Sequence, residues 1–355
     1  MYIEGIILDG LNKLNMNRSI FGIYHILFGK KSVQSVQDAS LFQLETYYGI
    51  YPTLSREHYV RIISKMKEDG LIEQASKDNH FTITNKGFNY LKSFHKTSIY
   101  QYINGLIFQG KDDLFLLRLY LLIQTYSNLH RNNNTFIPIV DNQEVMNWVK
   151  QFYRNHPKTT TNERLYAEMH QLLLCLTEKE AEFFVDRLTG YKYYGMSMDQ
   201  LAVKYLLTRD DAHIFLRGIT HQLMTQIVGR KEDYPILSQL IVEQKQRKFI
   251  TDTAAKTYQL LRENYSIRQI AQMRKLKENT IYDHIIEIAL YDENFSIQSF
   301  VSPNEQVEII SIIQRLKTYK LKQIKEHCRD SITYFQIRLV LARWKELLPE
   351  EARHD

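Results

Sequence analysis

From Thr253 to Leu290 the apolar side chains fall at helical spacing and are interrupted twice by short polar runs, a pattern that leaves few folds open. Ala254, Thr257, Leu260 and Leu261 make one stripe. Ser266 can cap a short helix bearing Ile267, Ile270 and Ala271, because its hydroxyl can accept an orphan N–H of the first turn. After Arg274-Lys275-Leu276-Lys277 a third helix, starting near Asn279 or Thr280, buries Ile281, Ile285, Ile288 and Ala289. Helix, short helix, tight turn and longer helix is the plan of a helix-turn-helix unit, whose last helix is the one offered to DNA.

The rhythm recurs along the chain. Leu201-Ala202 stands where Ile270-Ala271 stands, in a stretch that resembles the DNA-binding fourth region of sigma factors. Asp210 and Asp211 open its would-be recognition helix; they suit the helix dipole but repel phosphate, so a structural or protein-binding role is expected there. Ser302-Pro303-Asn304-Glu305 is a capping box with proline at the first helical position. It opens helices over 303–318, 321–328 and 331–347, with Ile332, Phe335 and Leu339 as the buried seam and Thr333, Arg338 and Arg343 nearer the surface.

The amino-terminal part reads as helices over 2–16, 19–29 and 32–44, then a helix over 55–69 with Tyr59, Ile62, Ile63 and Met66 on one face. Gly70 closes that helix. Residues 71–74 and 80–84 alternate as two strands around a polar turn, and Asn85 begins a last helix. This order resembles a winged helix. The outer face of helix 55–69 carries His58, Arg61 and Lys65, with Arg56 in its first turn and Lys77 on the wing tip. A basic stripe beside a basic wing suits a duplex backbone.

Ser266-Ile267, Ile270-Ala271, Arg274, Leu276, Thr280-Ile281 and His284 resemble the helix-turn-helix module at the C-termini of RecQ and Werner-type helicases. The whole chain, from its MYIEGIILDGLNKL start, resembles the YpbB family of bacterial proteins, whose genes lie beside a RecQ-type helicase. The resemblance implies a setting in DNA repair or recombination, with a RecQ-type helicase as partner.

Charge agrees with nucleic acid without requiring it. The chain carries a formal +6, and residues 245–355 hold 19 Lys and Arg against 15 Asp and Glu. Residues 1–100 hold 12 against 9, whereas 101–244 hold 15 against 16, so the basic excess sits at the two ends. Cys175 and Cys328 lie far apart and show no zinc spacing. No basic n-region precedes the first apolar residues, and the run Leu114–Ile123, interrupted by Arg118, is about half of the ~20 residues needed to span a bilayer. Gly105 to Asp112 nearly matches a phosphate-binding loop, but Asp112 cannot give a hydroxyl to Mg²⁺ and would repel phosphate. No hydrolase, zinc-protease, kinase or dinucleotide motif is found. Tyr191-Lys192-Tyr193-Tyr194 could stack single-stranded bases beside a cation, although in a chain of 24 tyrosines such clusters also arise as packing.

The expected fold is mainly α, with multiple helix-turn-helix units and an N-terminal winged helix holding a small β-hairpin. Residues 1–96 form the winged-helix-like part, 97–244 a helical middle and 245–355 the helicase-type module. The expected function is that of a cytoplasmic, nucleoid-associated, non-catalytic accessory protein that binds duplex or forked DNA and acts with a RecQ-type helicase. It needs no cofactor, metal, membrane or small-molecule substrate. A winged-helix transcriptional regulator and a helical interaction scaffold are the alternatives. The candidate DNA contacts are Arg56, His58, Arg61, Lys65 and Lys77 at one end. At the other they are Arg268, Arg274, Lys275, Lys277, Asn279, Thr280 and Tyr282, with contact expected at the backbone because Asp283 and Glu287 are expected on the open side of the last helix.

Overall fold

The computed structural model describes residues 1–75, 79–156, 158–241 and 251–347, without the side chains of residues 158, 159 and 345. Lys77 lies outside the described residues. From the amino end come α1 (Tyr2–Leu14), α2 (Ile20–Phe28), α3 (Val33–Leu41) and α4 (Arg56–Glu68). An antiparallel hairpin of β1 (Ile72–Gln74) and β2 (Phe81–Ile83), with Glu73 opposite Thr82, leads to α5 (Asn85–Phe94). Then follow α6 (Ser98–Tyr102), α7 (Gly105–Phe108), α8 (Lys111–His130), α9 (Gln143–Asn155) and α10 (Lys158–Leu173). Next are α11 (Glu178–Asp186), α12 (Met198–Lys204) and α13 (Arg209–Gly229). The last seven are α14 (Asp252–Arg262), α15 (Ile267–Arg274), α16 (Glu278–Tyr291), α17 (Pro303–Leu316), α18 (Leu321–His327), α19 (Tyr334–Ala342) and α20 (Trp344–Leu347). The fold is mainly helical, with a two-stranded sheet between α4 and α5.

Local chemistry sets many of these boundaries. Ser55 caps α4 by accepting the His58 N–H at 3.1 Å, and Thr84 caps α5 by accepting that of Gly87 at 3.1 Å. Ser302 and Glu305 close the expected capping box on α17. Gly70 ends α4 at φ +68°, where a side chain would be strained.

Backbone contacts gather the chain into two units. One comprises Met1–Lys13, Ile23–Lys30 and Glu45–Glu243, the other Leu14–Gly22, Lys31–Leu44 and Gln244–Asp355. The amino-terminal helices therefore contribute to both.

In the first unit α13 is the central helix. It packs against α6, α8, α10, α11 and α12, and it is buried nearly all round, from Ala212 through Met224. The two acids at its start serve the fold. Asp211 accepts the backbone N–H groups of Tyr2 (2.6 Å) and Ile3 (3.0 Å), capping α1, while Asp210 accepts from Tyr51 Oη at 2.6 Å. Asp112 is likewise internal. Arg217 pairs with it at 2.6 Å, and His221 Nε2 donates to it at 3.0 Å. The Asn104 N–H donates to His221 Nδ1 at 3.0 Å, which fixes the imidazole proton on Nε2. The near-match to a phosphate loop thus has a second objection. A Cβ on Gly105 would meet the Tyr48 carbonyl oxygen at 2.3 Å, so no phosphate could enter there. The polar runs 131–134 and 156–162 suggest exposed loops across residues 127–165, but that stretch includes α9, whose Val145, Val149 and Phe152 are buried at i, i+4, i+7.

His213, in the same helix, predicts how this unit responds to acid. Its Nε2 is enclosed with no hydrogen-bond partner among the described residues. Burial first, and then the Arg217 charge, pushes its pKa from 6.5 down to about 4. An unfolded chain takes up a proton near pH 6.5 that the folded chain refuses until about pH 4. This contribution is therefore complete above pH 6.5 and is lost as pH falls toward 4, by about 3 kcal/mol. His221 shifts in the same direction, again through burial first. Urea unfolding should show a clear fall in stability between neutral and acidic buffer, and His213→Gln should flatten it. Identical pH profiles for the two chains would exclude His213 as the proton acceptor.

In the second unit α16 is central, packed against α14, α15, α19 and α3. Ile288 and Ala254 form the α14–α16 contact, flanked by Tyr258, Leu261, Tyr291 and Phe295. The amino-terminal pieces close this unit. Gln37 Nε2 donates to the Arg338 carbonyl at 2.9 Å, and Asn17 Oδ1 accepts from Thr318 Oγ1 (3.1 Å) and the Tyr319 N–H (3.0 Å). Arg343, expected near the surface, is buried: Nη2 donates to the carbonyls of Asp292 and Phe295, and Nη1 pairs with Glu346 at 2.6 Å. It satisfies carbonyls left over at the end of α16 and in the segment after it.

Candidate nucleic-acid interface

The helix-turn-helix of the second unit is built by two local devices. Ser266 and Gln269 exchange side-chain and backbone bonds to start α15, with Gln269 Oε1 accepting the Ser266 N–H at 2.9 Å. At its end Lys275 adopts φ +53°, the Leu276 N–H reaches the Ala271 carbonyl at 2.9 Å, and the Lys275 N–H reaches that of Gln272 at 3.1 Å. This closure ordinarily places glycine at the left-handed position. No glycine occurs after Gly229, so the role falls to a lysine here, to Asn264 (φ +63°) before α15 and to Lys317 (φ +48°) after α17. Lys317 is not among the candidates named from sequence; the lack of glycine at the end of an apolar stripe is the signal that could have pointed to it.

The turn delivers cations to the surface. Arg268, Lys275 and Lys277 are exposed, and none forms an ion pair among the described residues. Lys277 is the N-cap residue of α16 and supplies no side-chain cap, so orphan N–H groups of the first turn lie beside two lysines. Helix dipole, N–H groups and ammonium charges favour an anion here, against the exposed carboxylate of Glu278 in the same turn. Asn279 is exposed at this end as well, and Thr280 is half-buried.

The remaining candidates of this module turn inward. Arg274 donates to the Thr253 carbonyl at 2.7 Å, to Thr253 Oγ1 at 2.8 Å and to Thr257 Oγ1, and it lies against His284 Nδ1 at 3.3 Å. It ties α14, α15 and α16 together and does not stand out as a free cation. Burial first, and then the Arg274 charge, lowers the His284 pKa and keeps that ring neutral. Tyr282 stacks on Phe335 of α19 with centroids 4.3 Å apart. Glu287, expected on the open side of the helix, is buried and accepts from the Thr251 N–H and hydroxyl, capping α14. Asp283 pairs with Arg338 at 2.7 Å. Beyond Asn279 every residue of α16 is buried or half-buried. A helix enclosed in this way cannot lie in a major groove along its length.

In the first unit the α4 face is only partly as expected. Arg61 and Lys65 are exposed, and Arg61 makes a loose solvent-facing pair with Glu57 at 3.5 Å, which is worth little. Arg56 is exposed and near enough to His25 to contribute, after burial and Lys30, to lowering its pKa. His58 is engaged: its Nε2 lies 2.9 Å from both carboxylate oxygens of Asp210. Asp210, for which a structural role is expected, thus occupies a residue expected to bind phosphate.

Among the described residues no cluster of His, Cys, Asp and Glu could hold a metal, and no helix is long and apolar enough to cross a membrane. Both cysteines are free.

Known proteins place the module where the geometry does. Residues 253–341 match the family model described as a helix-turn-helix domain. Over nearly its full length the chain is similar to Protein YpbB of Bacillus subtilis (strain 168), with 28% identity over 346 residues, 96% of this chain and 97% of that protein. No solved structure matches the chain.

Proposed function

We propose that this protein binds duplex DNA through the phosphate backbone, without reading sequence at its C-terminal helix-turn-helix, and does no chemistry itself. The observation that carries the reading is the enclosure of α16 beyond Asn279, which leaves Arg268, Lys275, Lys277 and the first helical turn as the open basic edge. Phosphate contacts position a protein on DNA, and base-edge contacts specify sequence. Resemblance of the Ser266–His284 residues to the RecQ and Werner-type module supports an accessory role beside a RecQ-type helicase in repair or recombination. A second reading, a transcriptional regulator, is favoured by α4, which keeps Arg61, Ser64 and Lys65 open beside the hairpin.

Binding to duplex, forked and single-stranded DNA across a salt series separates the two. The accessory reading expects a steep salt slope with no preferred sequence; one preferred site puts the regulator ahead. Substituting Arg268, Lys275 and Lys277 together by Ala should weaken binding to all duplexes alike and reduce the slope by roughly 0.9 for each phosphate that is no longer neutralised. Arg274→Ala should instead lower the melting temperature, because it unties three helices. Full affinity in the triple variant would sink the interface assignment. For the partner, unwinding of forked DNA by a RecQ-type helicase should change when this chain is added; unchanged unwinding with no association at micromolar concentration would remove the accessory role.

A further inference from the structure

Among α8, α10 and α11 of the first unit runs an open groove of about 950 Å³ that the duplex-binding surfaces do not use. Its floor is apolar, with Ile123, Leu165 and Met169, and the rings of Tyr166 and Tyr191 line it. Tyr166 is 74% exposed, with the His170 ring of the same helix alongside it at 6.2 Å between centroids. Tyr191 opens the turn Tyr191–Tyr194 and is fixed to α8 by its N–H, which donates to Ser127 Oγ at 2.7 Å. The turn is closed by the Gly190–Tyr193 bridge and by Lys192 at φ +57°; it sets the Lys192 ammonium 5.4 Å from the Tyr191 ring centroid and leaves Tyr194 85% exposed. Arg131, at the end of α8, also lines the groove, is exposed and forms no ion pair among the described residues. Glu163 is the acid among the lining residues.

We propose that this groove binds single-stranded nucleic acid, with bases stacked on Tyr166 and Tyr191 and the phosphate backbone held by Arg131 and Lys192. Every base has a π-face, so open rings beside cations bind single strands whatever their sequence. A wholly apolar protein segment would match the floor but leave Arg131 and Lys192 desolvated or unused, whereas a nucleic-acid strand answers both the rings and the charges. The proposal deepens the DNA-binding reading by giving the protein a separate place for the unpaired strand of a fork.

The test uses the full chain and fluorescein-labelled oligothymidine and oligouridine, read by anisotropy across a salt series. Tyr166→Ala and Tyr191→Ala should each weaken binding by about five- to a hundredfold, while Tyr166→Phe, which keeps the ring, should bind as the natural chain does. Arg131→Ala with Lys192→Ala should reduce the salt slope by about 0.7 per charge. Tighter binding of either oligonucleotide names the natural strand as DNA or RNA, and both results support the site. Duplex affinity should be unchanged in these variants, since Arg268, Lys275 and Lys277 are intact. Loss of duplex binding in the Arg268/Lys275/Lys277 variant with strand binding retained would separate the two surfaces. No binding of either strand at micromolar protein, or equal affinity in the natural chain and Tyr166→Ala, overturns the proposal and leaves the groove to a protein partner.

Discussion

Asp112→Ala should lower the stability of the chain by roughly 3–5 kcal/mol, the usual cost of breaking a buried ion pair from one side. Asp112, Arg217 and His221 are all buried, and one carboxylate satisfies both the guanidinium and the imidazole N–H. Burial alone would raise the Asp112 pKa, but the hydrogen bond from His221 and the charge of Arg217 outweigh it and hold the carboxyl below its usual range. Without it, Arg217 keeps, among the described residues, the half-exposed Asp113 at 2.9 Å, and His221 Nε2–H loses its acceptor. Urea unfolding followed by circular dichroism should show a lower midpoint with an unchanged slope. Replacing all three residues by apolar side chains of similar volume should recover much of the loss, because the desolvation penalty goes with the charges. A loss below about 1 kcal/mol in Asp112→Ala would mean that the site is far wetter than its burial implies.

A comparable loss, roughly 3–5 kcal/mol, is expected of Phe42→Ala, a substitution more than two hundred residues before the helix-turn-helix domain. Phe42 is buried in the second unit, edge-on to Tyr319 at 5.4 Å with the Arg18 guanidinium 5.5 Å from its ring. Arg18 in turn grips Asp38 through Nε and Nη2 at 2.9–3.2 Å. Hydrogen exchange should localise the damage: amides of α16 and α19 lose protection, while those of α8 and α13 keep theirs. A fragment of residues 251–347 lacks α3 altogether and should expose the apolar surfaces of α16 and α19 that α3 covers. It should bind a hydrophobic dye and unfold without a sharp transition. A fragment that melts as cooperatively as the full chain would show that α3 is dispensable.

Helices and their caps are legible in the sequence because they are local. Ser302 with Glu305, Ser266 before Ile267, and Gly70 after Met66 each declare themselves within four residues. The hairpin is legible for the same reason, since strand alternation and turn adjoin. What is enclosed by what depends on partners far away in sequence. Nothing near Tyr282 announces Phe335, and nothing near Glu287 announces that it caps α14. Arg274 reads as a cation near a turn, but its partners Thr253 and Thr257 lie 21 and 17 residues back on another helix. α9 is masked because Asn147, Lys150, Gln151 and Arg154 on its other faces give the region a loop-like composition, although Val145, Val149 and Phe152 carry the helical period. Of the site, the open cations Arg268, Lys275 and Lys277 can be read directly, since exposure is the default for a charge that nothing binds.

The placement of α3 in the second unit also sets a timetable for making the protein. Residues 31–44 leave the ribosome early, but the α16 and α19 surfaces that cover them are some 250 to 300 positions later in the chain. At about 5–20 residues per second, Phe42 waits on the order of 15–60 s for Tyr319. The second unit cannot be completed until its last long helix has been synthesised, whereas much of the first can form beforehand. A nascent chain stalled before α16 should therefore carry an unsatisfied apolar segment near its amino end, the kind of surface that holdase chaperones bind.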